Sequence, residues 1–126
     1  MTQRTVLFVC PHGAGKSRMA AAWFNCWAPP GWRATTAGIC PQTEVSAHAA
    51  RLLARTPAAE LLDTAPPRPL AAVPEAAVLV AIDCPTESVD STFSWQLDNP
   101  DFDEATGEEV RQRAQNLARV LGGARA

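Results

Sequence analysis

The chain lacks the features that would place it in several other classes of protein. No stretch approaches the roughly 18 consecutive apolar residues that a membrane-spanning helix needs, so we expect no contact with a membrane. No CxxC pair and no His/Cys cluster with zinc-like spacing is present, which argues against a metal site. Basic residues are scattered and the formal net charge is −2. We therefore expect no nucleic-acid partner, because no broad basic face is available to neutralise phosphates.

Targeting signals, repeats and linkers are also absent from the sequence. Residues 1–4 lead directly into a strand-like run, whereas a secretory signal needs a longer apolar segment and a small-residue cleavage site. We therefore expect a cytoplasmic protein, in which the four cysteines stay reduced. They are Cys10, Cys26, Cys40 and Cys84. A chain of 126 residues is long enough for one core, which predicts a single domain over residues 1–126.

The apolar pattern predicts three strands. Val6–Val9 and Val78–Ile82 are continuous apolar runs rich in β-branched residues, which is typical of strands buried on both faces of a parallel sheet. Residues 32–39 predict another strand. The segment 84–103 has no strand or helix pattern and is predicted to be irregular.

A helix is predicted after each of these three strands. Apolar residues recur at helical spacing over 18–28, 45–53 and 108–121, and Thr43 is the predicted cap of the second helix. The proline-rich segment 56–70 predicts a loop, with a short extended piece at Leu61-Leu62. Alternating strands and helices predict an α/β fold with a doubly wound parallel sheet, whose functional site lies at the carboxyl ends of the strands.

A glycine-containing loop follows the first strand and begins at Cys10. Gly13 and Gly15 allow positive φ angles, so successive backbone N–H groups can face one concavity. The helix that follows adds its positive dipole end, and Lys16 adds a full charge. Such a pocket binds a tetrahedral oxyanion and favours the thiolate form of a sulfur within it. Ser17 can donate a hydrogen bond to that sulfur.

These residues resemble the signature of low-molecular-weight protein tyrosine phosphatases and thioredoxin-linked arsenate reductases. In that family a strand is followed by Cys-x5-Arg-Ser and then by Met-Ala, and this chain has Cys10, Lys16-Ser17 and Met19-Ala20 in the same register. Thr36–Gly38 resembles the family's Ser-Ala-Gly, and Trp95–Pro100 resembles its Trp-x-x-x-Asp-Pro loop. Nearly the whole chain is covered by the resemblance.

The resemblance implies a fold and a site. The fold is a single-domain three-layer α/β sandwich with a four-stranded parallel sheet. Cys10 is the implied nucleophile, assisted by Lys16 and Ser17, with Asn99 at the position of the general acid. The implied substrate-binding residues are Pro11, His12, Gly13, Ala14, Gly15 and Trp95. The implied partner is phosphate, another tetrahedral oxyanion or a phosphorylated protein, and no cofactor is expected.

The chain departs from the family pattern at two of these positions. Lys16 stands where the family has a phosphate-binding arginine, and an ammonium cannot hold two oxygens as a guanidinium does. Asn99 stands where the family has an aspartate that protonates the leaving oxygen, and asparagine has no such proton to give. The change at Lys16 is expected to lower the rate about 10- to 150-fold. The change at Asn99 is expected to lower it about 10²- to 10⁴-fold. Lys16 is also the only lysine beside ten arginines, which hints at a specific role.

Two further residues are weaker candidates for the site. The resemblance places redox cysteines of arsenate reductases near Cys84, although burial as a packed thiol is the simpler interpretation. Asp98 is the carboxylate nearest to the missing acid, but neighbouring side chains of an extended segment point in opposite directions. Cys26 and Cys40 are assigned to packing.

Four functions remain open at this point. The first is a cysteine-dependent phosphomonoesterase with low activity. The second is an arsenate reductase that uses Cys10 and a second thiol. The third is a non-catalytic oxyanion-binding or regulatory domain. The fourth is a nucleotide-binding loop, since Gly15-Lys16-Ser17 resembles the end of Walker A and Asp83 ends a strand; Cys10 stands where that motif has its first glycine.

Overall fold

The computed structural model describes residues 3–11, 13, 15–40, 46–73, 75–85, 89–98 and 103–122. Within these ranges there are four strands and three α-helices. The strands are β1 (Arg4–Cys10), β2 (Trp32–Gly38), β3 (Val78–Ile82) and β4 (Phe93–Trp95). The helices are α1 (Lys16–Trp27), α2 (Ala47–Leu53) and α3 (Glu104–Leu121). None of these three helices combines the length and the apolar character needed to cross a membrane.

The strands form one parallel sheet in the order β2-β1-β3-β4. This confirms the predicted α/β class and the four-stranded parallel sheet. Cys10 pairs with Gly38 of β2, and Ile82 of β3 pairs with Trp95 of β4. The carboxyl ends of all four strands therefore lie at the same edge of the sheet, where Cys10 begins its loop.

The larger core lies between the sheet and the three helices. Phe8 is fully buried there, with its ring centroid 6.1 Å from that of Phe24 on α1 and 5.6 Å from that of Trp95 on β4. Val110 and Leu53, from α3 and α2, belong to the same apolar cluster. This core fixes the start of α1 against the end of β1, because both elements contribute fully buried side chains to it.

The opposite face of the sheet is covered by irregular chain. Its apolar residues include Leu7 and Val9, and most of the side chains packed against them come from connections, none from α1, α2 or α3. Two of these, Leu70 and Val73, precede β3, and Val89 precedes β4. The part of the β2-to-β3 connection that follows α2 and the β3-to-β4 connection therefore cover this face. The third layer of the sandwich is thus formed by loop and 3₁₀ structure.

Helix starts differ from the sequence prediction by two to four residues, and α2 begins two residues later than predicted, at Ala47. α1 begins at Lys16, two residues before the predicted start, and α3 begins at Glu104, four residues early. The Asp103 side chain caps α3 by accepting a hydrogen bond from Thr106 N at 3.2 Å. Ser46 caps α2, whereas Thr43, the predicted cap, lies outside the described residues.

Two short elements were not predicted correctly. The segment 84–103 was predicted to be irregular but contains β4. Its apolar alternation is short, and only Trp95 of its three residues is buried. The extended piece predicted at Leu61-Leu62 is wrong at Leu61, which ends a 3₁₀ turn over Ala59–Leu61, whereas Leu62 is extended. Local hydrogen bonds hold this turn, whereas β4 depends on pairing with the distant β3.

Candidate functional site

The Cys10 thiol lies at the carboxyl end of β1 and is almost completely buried. Its Sγ is 3.1 Å from Oγ of Ser17, in the first turn of α1, which is hydrogen-bonding distance. If the sulfur is a thiolate, the Ser17 hydroxyl is the donor of this bond. The structure thus brings together the two residues that the sequence predicted to meet.

The loop after Cys10 packs tightly against the end of β2. Ile39 N donates to the carbonyl of Cys10 at 3.4 Å, and Cys40 N donates to that of Pro11 at 2.8 Å. Gly13 has a φ of +64° and leaves no room for a side chain, because a Cβ there would lie 2.7 Å from Gly38 N. Glycine is therefore required at position 13 both for its backbone conformation and for this close approach.

The loop leads into α1 through Gly15, the residue before the helix. Its φ is −132°, so the predicted positive φ is found at Gly13 and not at Gly15. The first bond of the helix runs from Met19 N to the carbonyl of Gly15 at 3.0 Å. The N–H groups of residues 16–18 therefore have no partner within the helix. They lie at its positive end, beside the loop that carries Cys10, where an anion is favoured.

Lys16 is paired with a carboxylate that follows β3. Its Nζ donates to Oδ2 of Asp83 at 2.6 Å, and both side chains are largely buried. Oδ1 of Asp83 accepts a hydrogen bond from Leu97 N at 2.8 Å. Asp83 therefore connects the loop cation with the segment after β4 and neutralises the only lysine of the chain. The sequence signal for this role was an acidic residue at the end of a buried strand.

Arg18 holds the loop from the helix side and was not singled out in the sequence. Its side chain is fully buried. Nε donates to the carbonyl of Gly13 at 3.0 Å, and Nη1 donates to the carbonyl of Asp63 at 2.6 Å. Burial lowers the pKa of Arg18, while the Asp63 charge, 3.5 Å from Nη1, acts in the opposite direction. An arginine in the first turn of a helix normally indicates a solvated position, so no local pattern predicts this burial.

Asp63 and Arg68 extend this contact to β2. Arg68 donates to Oδ2 of Asp63 at 2.9 Å and to the carbonyl of Thr36 at 2.9 Å. Burial acts to raise the pKa of Asp63, but hydrogen bonds from Ala65 N and Arg68, together with the charges of Arg18 and Arg68, outweigh it and hold this pKa below its usual range. Asp63 is therefore a carboxylate at neutral pH.

Cys84 is a buried thiol on the face of the sheet opposite the helices. Its Sγ donates to the carbonyls of Val9 and Ile82, each at 3.6 Å. Burial raises the pKa of Cys84 to about 11, and the nearby Cys10 contributes to the increase. At neutral pH Cys84 is therefore protonated, which makes it a poor nucleophile in this conformation.

The other predicted site residues have varied surroundings. Trp95 is packed against Phe8 in the core. Asp98 is exposed, and its backbone N–H donates to the Glu109 carboxylate at 3.0 Å. Pro11 is half-buried in the loop. His12, Ala14 and Asn99 lie outside the described residues.

Comparison with known proteins identifies the family. No profile of a known protein family matches the chain, and no curated protein does. Among solved structures, an arsenate reductase from Archaeoglobus fulgidus is 30% identical, with a TM-score of 0.67 over 94% of this chain and 98% of that one. The chain belongs to the low-molecular-weight protein tyrosine phosphatase and arsenate reductase family.

Other members of the family match in fold. A thioredoxin-dependent arsenate reductase from Corynebacterium glutamicum is 22% identical over 98% of this chain, with a TM-score of 0.78, and this chain spans only 64% of its length. The YwlE arginine phosphatase from Geobacillus stearothermophilus is 21% identical, with a TM-score of 0.73 over 96% of this chain and 94% of that one. These two structures therefore share the fold of this chain.

Proposed function

We propose that the chain is a cysteine-dependent phosphatase-type enzyme with low activity, in which Cys10 attacks a phosphate ester held by the loop of residues 10–17. The observation that supports this most directly is the 3.1 Å contact between Cys10 Sγ and Ser17 Oγ at the start of α1. A hydroxyl and the N–H groups of a helix terminus next to one sulfur stabilise both a thiolate and a bound oxyanion. The similarity to an arsenate reductase structure and to the fold of an arginine phosphatase fits this chemistry.

The proposed reaction has two steps. The Cys10 thiolate forms a bond to phosphorus while the bond from phosphorus to the ester oxygen breaks, and the alcohol leaves with a proton from solvent. Water then displaces the sulfur, which releases inorganic phosphate and restores the thiolate. Ser17 stabilises the sulfur when it attacks and again when it leaves.

The leaving group is where this chain is expected to be slow. Asn99 has no proton to donate, so esters of acidic phenols are expected to react far faster than alkyl esters, whose leaving oxygen needs protonation. An aryl phosphate with an acidic phenol is therefore the appropriate probe.

The test is turnover of p-nitrophenyl phosphate, together with alkylation of Cys10 by iodoacetamide in the presence and absence of inorganic phosphate. We expect slow turnover and protection of Cys10 by phosphate. Protection without any turnover would assign a non-catalytic oxyanion-binding domain. The absence of both turnover and protection would rule out a functional site at Cys10.

Arsenate reduction is the second candidate, and the 30% identical arsenate reductase favours it. In this reaction Cys10 sulfur displaces hydroxide from arsenate. A second thiolate then attacks Cys10 sulfur, so that arsenic(V) takes two electrons and leaves as arsenite while a disulfide forms. Cys84 is the candidate for this second thiol, because the charge of Cys10 contributes to the raised pKa of Cys84. Its protonated, buried thiol must first move. Arsenite formation with dithiothreitol as reductant, lost in Cys84→Ser, would support this function over phosphatase activity.

Asp83→Asn is expected to strengthen oxyanion binding. The substitution removes the charge that neutralises Lys16, while asparagine keeps an oxygen to accept from Leu97 N and tolerates the positive φ of +53° at this position. Removing one negative charge near a bound dianion is expected to increase phosphate affinity roughly 3- to 30-fold at low salt. Calorimetric titration with phosphate measures the change.

The matched control for this experiment is Asp90→Asn, which removes the same charge from the connection between β3 and β4. We expect little change in phosphate affinity for the control. Unchanged affinity in Asp83→Asn would show that the Lys16 ammonium takes no part in binding the anion.

A further inference from the structure

The Arg18 side chain is buried at a position where an exposed one is expected. It lies in the first turn of α1 and has no solvent exposure. Burying a guanidinium is unfavourable unless its donors are paired, and Nη2 has no partner among the described residues. Packing alone does not explain why an arginine is buried here, because an apolar side chain of similar length would fill the same space without an unpaired donor.

The two carbonyls that Arg18 contacts belong to different parts of the chain. Nε donates to Gly13 at 3.0 Å, within the loop that carries Cys10, and Nη1 donates to Asp63 at 2.6 Å, 45 residues away. Charge-assisted hydrogen bonds of this kind are stronger than neutral ones. Arg18 therefore fixes the carbonyl orientation in the middle of the loop relative to α1.

The far side of this contact is itself fixed. Asp63 is bound by Arg68 at 2.9 Å, and Arg68 donates to Thr36 on β2. The carbonyl of Arg68 also accepts a hydrogen bond from Gly38 N at 2.9 Å, and Gly38 is the residue against which Gly13 packs. The guanidinium thus closes a ring of contacts from the loop to the segment after α2, to β2, and back to the loop.

A loop that binds an oxyanion through backbone N–H groups must keep its carbonyl oxygens away from the anion. We propose that Arg18 is a positioning residue that does this for the loop of residues 10–17, by holding the Gly13 carbonyl in its hydrogen bond. Arg18 itself does not contact the oxyanion. This inference rests on the proposed oxyanion binding by the loop.

The test compares Arg18→Met with Arg18→Gln. Both remove the charge, but the side-chain nitrogen of glutamine is as many bonds from Cα as Nε of arginine, so glutamine retains a donor for the Gly13 carbonyl. Protection of Cys10 from iodoacetamide by inorganic phosphate gives the anion affinity, and thermal unfolding gives the stability. We expect Arg18→Met to weaken protection by about 10-fold or more, and Arg18→Gln to recover most of this loss.

Leu53→Ala is the control for lost stability, because Leu53 is buried in the helical core. Below its unfolding temperature it should protect Cys10 like the wild type. Phosphate affinity in Arg18→Met equal to that of the wild type would overturn the inference, and so would equal losses in both Arg18 variants. If Arg18→Met fails to fold, two results would still overturn the inference. One is weakened protection of Cys10 in folded Arg18→Gln, and the other is the failure of both variants to fold. Absence of protection in the wild type would instead refute the proposed function.

Discussion

Cys10→Ser is expected to reduce turnover of p-nitrophenyl phosphate by about 10³-fold or more. The serine hydroxyl is not ionised at neutral pH, and its oxygen is a poorer leaving group than sulfur in the second step. The Ser17 hydroxyl and the N–H groups at the start of α1 are unchanged by the substitution. Phosphate binding should therefore persist while turnover is lost.

Calorimetric titration with phosphate and a turnover assay on the same preparation separate these two effects. Cys26→Ser is the matched control, because it makes the same substitution in α1, at a side chain that packs only at the margin of the helical core. We expect the control to retain turnover. Equal turnover in Cys10→Ser and wild type would mean that Cys10 is not the nucleophile.

Gly13→Ala is expected to disrupt both the fold and the loop. Its added Cβ would meet Gly38 N at 2.7 Å and Ala37 C at 2.9 Å, and these are backbone atoms that cannot rotate away. The left-handed conformation costs about 1–2 kcal/mol for a residue with a side chain. Overpacking adds about 1–3 kcal/mol. The total of about 2–5 kcal/mol should lower the Tm by roughly 8–20 °C and displace the loop from β2.

Gly31→Ala provides a control that separates strain from close approach. Gly31 also has a positive φ, of +86°, but a Cβ there would meet nothing within 4 Å. It should therefore show only the conformational cost of about 1–2 kcal/mol, with normal protection of Cys10 by phosphate. Equal effects on stability and on protection in the two variants would show that packing against Gly38 does not hold the loop.

The charge arrangement around the loop bears on how the site discriminates among anions. Lys16 is paired with Asp83, and Arg18 is paired with Asp63, so each cation near Cys10 is accompanied by a carboxylate. A loop of this kind offers mainly hydrogen-bond donors rather than net positive charge. This predicts weak binding of dianions. It is also the reason why Asp83→Asn is expected to strengthen binding, whereas most substitutions in a binding site weaken it.

Parts of the fold could be predicted because they depend on local apolar pattern. The run Val6–Val9 is fully or almost fully buried in β1, and Val78–Ile82 forms β3 as predicted. A strand that is apolar on both faces has few alternatives to a central position in a parallel sheet. β4 was missed because two of its three residues are exposed, so its position depends on pairing with β3.

The candidate site also has some features that the local sequence predicts and others that only the tertiary structure decides. The amino-acid sequence determined that a thiol ends a buried strand, that a glycine loop follows it, and that Ser17 begins a helix next to it, because these residues are close along the chain. Only the tertiary structure decided the charge around the loop, since Lys16 meets Asp83 across 67 residues and Arg18 meets Asp63 across 45. Such pairs join segments that lie far apart along the chain, and no local pattern encodes them.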